Sequence, residues 1–191
     1  DLMSIINQKM FDTICQEHLT YYSNNIIINM AKKNNLRVFD LKTNNINGGS
    51  TQYFICKNNS VHKTNYKSIN KILRQEKQMK LTNKKTFIKF FNHVNKMKLN
   101  TMNYIEKIVS QNKTIHGYGA STKGNVLLQY FGITKQHIKY IADRNPKKNN
   151  HFTPGTKIRI ISESKSRKLL PNFYFVLPWH FKKEILIREQ N

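Results

Sequence analysis

The sequence predicts an α/β protein in which a parallel β-sheet with flanking helices follows a long helical segment. Two observations predict this class. After residue 113, short β-branched runs alternate with helical stretches, a pattern typical of a parallel sheet covered by helices. Before it, apolar residues recur at spacings of three and four from Phe87 to Val109, which predicts one helix of about seven turns. The 191 residues suffice for one domain and part of another.

The first 112 residues contain helices and one pair of strands. "LMSIINQ" opens helically, and residues 24–33 are a predicted helix with Ile26, Ile27 and Met30 on one side. "LRVFDL" and "TQYFICK" are predicted strands on either side of "NNINGGS". Thr64 or Asn65 is expected to cap a helix that ends near Leu81. The apolar face of the Phe87–Val109 helix is expected to pack in a core.

Residues 113–191 contain four predicted strands and three predicted helices. The strands are "KTIHGYG", "HIKYIAD", "KIRIIS" and "NFYFVLP". The helices are "STKGNVLLQYF", which Gly132 ends, "ESKSRKLL" and "WHFKKEILIRE". This alternation predicts a Rossmann-like parallel sheet with helices on its faces.

The formal net charge of +23 favours a nucleic-acid partner at first sight. However, lysines outnumber arginines 27 to 6 and are scattered along the chain. Arginine is the residue that makes paired contacts with phosphates and bases. The enrichment in Lys, Asn and Ile is also what A- and T-rich codons produce. Nucleic acid is therefore not the expected main partner.

The cysteines and the apolar runs favour a cytoplasmic protein without a membrane partner. Cys15 and Cys56 lie in no metal-binding spacing, so neither a disulfide nor a metal site is expected. No run of 18 apolar residues and no signal-like segment at the start of the chain is found.

The stretch "TIHGYGASTKGN", residues 114–125, has the layout of a phosphate site: a strand, a glycine loop and a helix. The dinucleotide pattern G-x-G-x-x-G would need a third glycine where Thr122 stands. The P-loop pattern would need a lysine where Asn125 stands. Neither pattern is complete, so neither NAD nor ATP binding is predicted.

The physical basis of both patterns still predicts an anion site. Gly119 lets a ligand approach the backbone, and a helix that begins near Ser121 presents free N–H groups and a positive dipole end. Lys123 adds charge, and Asn125 a polar group. Asp143 ends the next strand, where Rossmann-type folds place a ribose-binding acid. The alternative is that the glycines only permit tight packing of strand and helix.

Six ordered motifs carry a resemblance to a family: "FDTICQEHLTYYS", "INGGS", "GYGASTKGN", "YIADRNP", "FTPGT" and "LPWHFKKEI". Over essentially its whole length, the chain resembles the C-terminal part of S-adenosylmethionine-dependent C-methyltransferases that act on nucleotide-linked keto-sugars. The resemblance implies that residues 1–60 end a methyl-donor-binding domain, that 61–112 form a helical connector, and that 113–191 form the Rossmann-like C-terminal domain. It implies S-adenosylmethionine as cofactor, bound mainly by an upstream domain, and a nucleotide-linked sugar as substrate.

The resemblance also assigns roles within "CQEH". C-methylation beside a ketone needs a base that removes the α-proton, and His18 matches that base. Glu17 matches an acidic residue beside the sugar, and "INGGS" would bring Asn47 toward the same cleft. Cys15 and Gln16 depart from the pattern, because many relatives carry Tyr and His there. The loss of that tyrosine hydroxyl bears on substrate choice.

Two functions remain open at this point. The chain is either the sugar-substrate part of a C-methyltransferase or a non-catalytic nucleotide-binding module, degenerate or acting beside a separate methyl-donor-binding chain. An NAD-dependent enzyme is disfavoured by Thr122. The chain by itself is expected to bind no methyl donor and to turn over nothing.

Overall fold

The computed structural model describes residues 1–190, which divide into two compact units. The first unit contains Asp1–Met10 and His18–His93. The second contains Phe11–Glu17 and the residues from Val94 onward. The predicted α/β class with a parallel sheet and flanking helices is confirmed.

The first unit is built from three helices and one antiparallel strand pair. These are α1 (Leu2–Gln8), α2 (Asn24–Lys33), β1 (Leu36–Asn44), β2 (Ser50–Lys57) and α3 (Tyr66–Gln78). β1 and β2 pair antiparallel across a turn that contains the short 3-10 helix Ile46–Gly48. The Asn65 side chain caps α3, as predicted, by accepting from the backbone N–H of Ser68.

The core of the first unit lies between α2, α3 and β1, and it contains Ile28, Ala31, Val38, Leu41, Ile69 and Ile72. The predicted apolar side of α2 is partly exposed, with Ile26 at 46% and Met30 at 44%. Asn24, Ile28 and Ala31 form the buried side instead. Ile28 and Ala31 lie on the side of α2 that packs against β1 and α3. The positions of the apolar residues within α2 do not by themselves reveal which side is covered.

The long helix α4 (Lys84–Ser110) is confirmed, but its apolar face is buried over only part of its length. Val94, Ile105 and Ile108 are buried, whereas Phe87 is 39% and Phe91 55% exposed. The expectation of core packing is therefore wrong for the first turns, because periodicity reveals the apolar side and not how far a partner surface extends. Among residues 1–190, no helix, α4 included, combines the length and apolar composition needed to cross a membrane.

The sheet of the second unit has four parallel strands. The elements are β3 (Ile115–Tyr118), α5 (Thr122–Phe131), β4 (Tyr140–Asp143), β5 (Ile160–Ser162), α6 (Glu163–Lys168), β6 (Phe173–Val176) and α7 (Lys182–Glu189). The strand order is β5-β4-β3-β6, with all neighbours parallel. Gly132 ends α5 in a left-handed conformation, as predicted.

The strand order places β3 between β4 on one side and β6 on the other. The chain order thus reverses at β3, and a crevice opens at the carboxyl ends of such strands. The glycine loop follows β3 directly, and Leu177 and Pro178 follow β6. The fold therefore places the predicted anion loop at the edge where α/β proteins bind ligands.

A buried histidine lies within this sheet, in its strand β3. His116 in β3 is 2% exposed, and its Nδ1 lies 2.7 Å from Oγ of Ser166, which is fully buried. Ser166 Oγ lies 3.0 Å from the Tyr174 hydroxyl. Burial, with a smaller contribution from the charge of Lys139, lowers the pKa of His116. The pair resembles a catalytic dyad in composition, but its burial indicates a structural network.

This network predicts a loss of stability below neutral pH. The unfolded chain takes up a proton at this histidine near its usual pKa, whereas the folded chain resists it, so stability is present above that pKa and is lost as pH falls through it. We expect the thermal unfolding midpoint to drop by several degrees from pH 7.5 to about 5.5 in the parent, and less in His116→Gln. His151→Gln, at an exposed histidine, is the matched control. Equal pH dependence in the parent and His116→Gln would contradict this role.

Candidate functional site

A cleft of about 550 Å³ lies at the carboxyl edge of the parallel sheet, and we call it the sheet-edge cleft. The loops after β3 and β4, the start of α6, and the segment from Pro178 to α7 form its walls. Its lining residues are Tyr118, Gly119, Ala120, Ser121, Asp143, Arg144, Asn145, Lys148, Glu163, Pro178, Phe181, Glu184, Ile185 and Arg188.

The glycine loop after β3 is held by backbone conformation and by close packing. Gly119 has φ +85°, and a Cβ there would lie 2.7 Å from the ring of Pro178. A Cβ on Gly124 would lie 2.8 Å from Leu177, so this glycine lets α5 pack closely on the end of β6. Ser121 caps α5 through a 3.0 Å hydrogen bond from the N–H of Gly124. This loop therefore combines tight packing with a capped helix start.

Asp143 holds the loop from the end of β4. Its Oδ2 accepts a 2.7 Å hydrogen bond from the N–H of Ala120, and its Oδ1 accepts from Asn145 N–H at 2.8 Å. Lys148 lies 3.4 Å from the same carboxylate and donates to the Ala120 carbonyl at 2.6 Å. The carboxylate thus binds one of the loop N–H groups that could otherwise face a ligand. Arg144, next to it, is exposed and makes no hydrogen bond or ion pair with residues 1–190.

Tyr118, Glu163 and Arg188, which line this cleft, belong to a network of charged side chains. Tyr118 donates to Glu189 at 2.5 Å and accepts from Arg188 at 2.9 Å. Arg188 also pairs with Glu163 at 2.9 Å, and Arg167 pairs with Glu189 at 2.6 Å. The hydrogen bond from Arg167 is the main cause that lowers the pKa of Glu189 to about 2. Glu189 is therefore ionised near neutral pH.

A second cleft, of about 620 Å³, lies beside the first turns of α5, and we call it the motif cleft. Its lining residues are Ile14, Cys15, Gln16, Glu17, Thr122, Asn125, Val126, Gln129, Tyr130 and Pro154. The side-chain oxygen of Asn125 is buried and has no hydrogen-bond partner among the described residues. Because an unpartnered buried oxygen is costly, a ligand that donates to it would be favoured.

The structure divides the predicted site residues among several places. Gly119, Ser121 and Asp143 line the sheet-edge cleft, and Glu17 and Asn125 line the motif cleft. Ser121 and Thr122 are consecutive and line different clefts, so the two clefts flank the start of α5.

The remaining predicted site residues line neither cleft. Lys123 is half-buried, and its charge adds to burial in lowering the pKa of His180. His18 belongs to the first unit, is exposed, and has its ring edge-on to Tyr21 at 6.5 Å. Asn47 lies in the Ile46–Gly48 turn, and its side chain falls outside the described part of the structure.

Sequence reasoning missed several residues of these clefts. Arg144 and Asn145 directly follow the strand "YIAD", so the rule that ligands bind beyond the carboxyl ends of strands would have found them. Arg188 comes from the last helix, and no local signal points to it. Cys15 is half-buried and lines the motif cleft, so the departure from the family pattern affects a residue of a cleft wall.

Comparison with known proteins agrees with the family resemblance that the motifs carry. Residues 45–191 match the family described as the C-methyltransferase C-terminal domain. The C-methyltransferase NovU of Streptomyces niveus is 28% identical over 189 residues, which are 99% of this chain and 45% of that protein. The chain thus spans less than half the length of this curated relative. Since the family match covers most of the chain, this protein belongs to the C-methyltransferase C-terminal domain family.

Proposed function

We propose that this chain is the part of a C-methyltransferase that binds a nucleotide-linked keto-sugar and supplies the base for methylation beside the ketone. The observation that carries the proposal is that two clefts flank the start of α5. The sheet-edge cleft is formed by strand-end loops, and the motif cleft contains Glu17 of the "CQEH" motif. A nucleotide-linked sugar has two bulky ends joined by a diphosphate, which matches two clefts on either side of an anion-favouring helix start.

The charges support a substrate that places its nucleoside half in the sheet-edge cleft and its sugar in the motif cleft. The first turn of α5 and Lys123 favour the diphosphate. Arg144 and Lys148 on the sheet-edge side favour the phosphate-bearing nucleoside half. Asp143 would serve this site by shaping the loop, because its oxygens already accept from Ala120 and Asn145. The sugar would then lie in the motif cleft beside Glu17.

The described clefts fit an anion better than the methyl donor. S-adenosylmethionine carries a sulfonium cation and no phosphate, whereas the start of α5 presents a positive dipole end beside Lys123. The acid at the end of β4, which could hold a ribose, is bound within the loop instead. We therefore assign methyl donation to S-adenosylmethionine held outside these clefts.

In the proposed reaction, this chain would supply the residue that removes a proton from the substrate. His18 would remove the hydrogen from the carbon beside the ketone, leaving an enolate as the carbon nucleophile. Glu17 and His18 are consecutive, so Glu17 does not orient the imidazole directly unless the backbone turns between them. Glu17 would instead hold a sugar hydroxyl in the motif cleft.

Binding of a nucleoside diphosphate tests the proposal. In the 191-residue chain, Lys123→Ala should weaken uridine diphosphate binding by about 1–3 kcal/mol, the usual scale of a charge-assisted hydrogen bond. Titration calorimetry measures the affinities. Lys135→Ala, at an exposed lysine beyond the other end of α5, removes the same charge and should bind like the parent.

The outcomes separate the proposal from its alternative. Equal affinity of Lys123→Ala and the parent would remove Lys123 from the site. Binding without exchange of the sugar α-proton, in an assay that includes a methyl-donor-binding domain, would favour the non-catalytic nucleotide-binding module.

A further inference from the structure

The segment Phe11–Glu17, which carries most of the catalytic motif, belongs to the second unit although both of its flanks belong to the first. We call it the motif segment. Glu17 at its end is exposed and lines the motif cleft. The position of Glu17 therefore depends on what attaches the motif segment to the second unit.

Phe11 provides the apolar attachment. Its side chain is 7% exposed, and its ring stacks on Phe131 of α5 with centroids 5.2 Å apart. The centroid of the Phe11 ring also lies 5.5 Å from the centroid of the Tyr130 ring. Such a contact attaches the segment to the helix but does not by itself set its orientation, since aromatic rings pack in several geometries of similar energy.

Asp12 provides a directional attachment. It is 3% exposed, and its Oδ2 accepts a 3.0 Å hydrogen bond from Nε1 of Trp179. Burial of a carboxylate is costly unless it is hydrogen-bonded, so this contact strongly favours one arrangement. Beyond Asp12 the segment becomes exposed, with Ile14 at 47%. Asp12 is thus a well-buried polar anchor shortly before Glu17.

Trp179 connects this anchor to the other cleft. It follows Pro178, whose ring lies against Gly119, and it begins the short 3-10 helix Trp179–Phe181. Pro178 and Phe181 both line the sheet-edge cleft. The Asp12–Trp179 hydrogen bond therefore joins the segment that carries Glu17 to a wall of the sheet-edge cleft.

We propose that Asp12 is a positioning residue, which holds the motif segment through the indole of Trp179 and so sets where Glu17 enters the motif cleft. The inference rests on the proposed function for the part that Glu17 plays. Asp12 itself acts through Trp179 and is not assigned a contact with the substrate.

Trp179 is the sole tryptophan of the chain, so tryptophan fluorescence reports on the surroundings of this indole. In Asp12→Ala, the indole N–H loses its acceptor, and we expect the emission to move to longer wavelength with stronger acrylamide quenching. The N–H of Ile14, which donates to the Phe11 carbonyl at 2.9 Å, should exchange about tenfold faster with solvent deuterium. Asp12→Asn keeps an acceptor oxygen and should restore both signals.

Trp179→Phe removes the N–H donor together with part of the ring and should accelerate Ile14 exchange as Asp12→Ala does, which keeps the test valid if one variant folds poorly. The inference is overturned if Asp12→Ala leaves the emission and the Ile14 exchange at parental values, or if Asp12→Asn rescues neither. Both signals are measured on the unliganded chain. They therefore stand apart from the uridine diphosphate titration, whose failure would count against the proposed function.

Discussion

Replacing His18 by alanine is expected to slow removal of the substrate α-proton by about 100-fold or more, the usual contribution of a general base. Substrate affinity should change less, because the base acts on the transition state rather than on binding. Exchange of the sugar α-proton with deuterated water measures this step separately from methyl transfer. The chain is assayed here together with a methyl-donor-binding domain.

Two variants make this test specific. His151→Ala removes an exposed histidine elsewhere in the chain and should exchange the proton at the parental rate. If His18→Ala also exchanges at that rate, His18 is not the base. Glu17, through its carboxylate, is then the next candidate, and Glu17→Gln in the same assay decides whether it takes that role.

Replacing Glu76 by alanine is expected to destabilise the first unit by about 2–4 kcal/mol, because it leaves buried donors without a partner. Glu76 in α3 is 7% exposed, and its Oε2 accepts a 2.7 Å hydrogen bond from the N–H of Asn24 at the start of α2. It also accepts from Asn25 N–H at 3.3 Å. The carboxylate thus caps α2 and complements its dipole.

The consequence should appear first in α2. Asn24 is fully buried and accepts a 2.7 Å hydrogen bond from Tyr53, whose pKa burial raises to about 12. Urea unfolding and amide exchange in α2 measure the loss. Glu106→Ala, at an exposed acid of α4, should change neither the urea unfolding nor the amide exchange of α2. Glu76→Gln should lose less stability than Glu76→Ala because it keeps an acceptor oxygen. Unchanged α2 exchange in Glu76→Ala would refute the capping role.

The local elements were predictable because their signals are local. The glycine loop, the Ser121 cap and Gly132 specify the beginning and the end of α5 within about a dozen residues. The alternation after residue 113 was sufficient to predict the parallel sheet, since strands joined through helices pair in parallel. The motifs likewise identified the family that the comparison confirms.

The predictions of contact between distant residues were less complete. Asp143 was predicted to hold a ribose, and the sequence did not show that its carboxylate accepts a hydrogen bond from the loop N–H of Ala120. Arg188 comes from the last helix and reaches the cleft through its bonds to Tyr118 and Glu163. Such partners are set by the packing of helices on the sheet, for which a single sequence carries no direct signal.

The sequence by itself determined the fold class, the element order, the anion-favouring start of α5 and the family, because periodicity, caps and ordered motifs are properties of neighbouring residues. Only the tertiary structure decided that Gly119, Ser121 and Asp143 line one cleft beside the start of α5, whereas Asn125 lines another. It alone joined Asp12 to Trp179, which lie 167 residues apart. The physical reason is that hydrogen bonds and packing depend on distance in space, and the folded chain brings together groups that sequence spacing keeps apart.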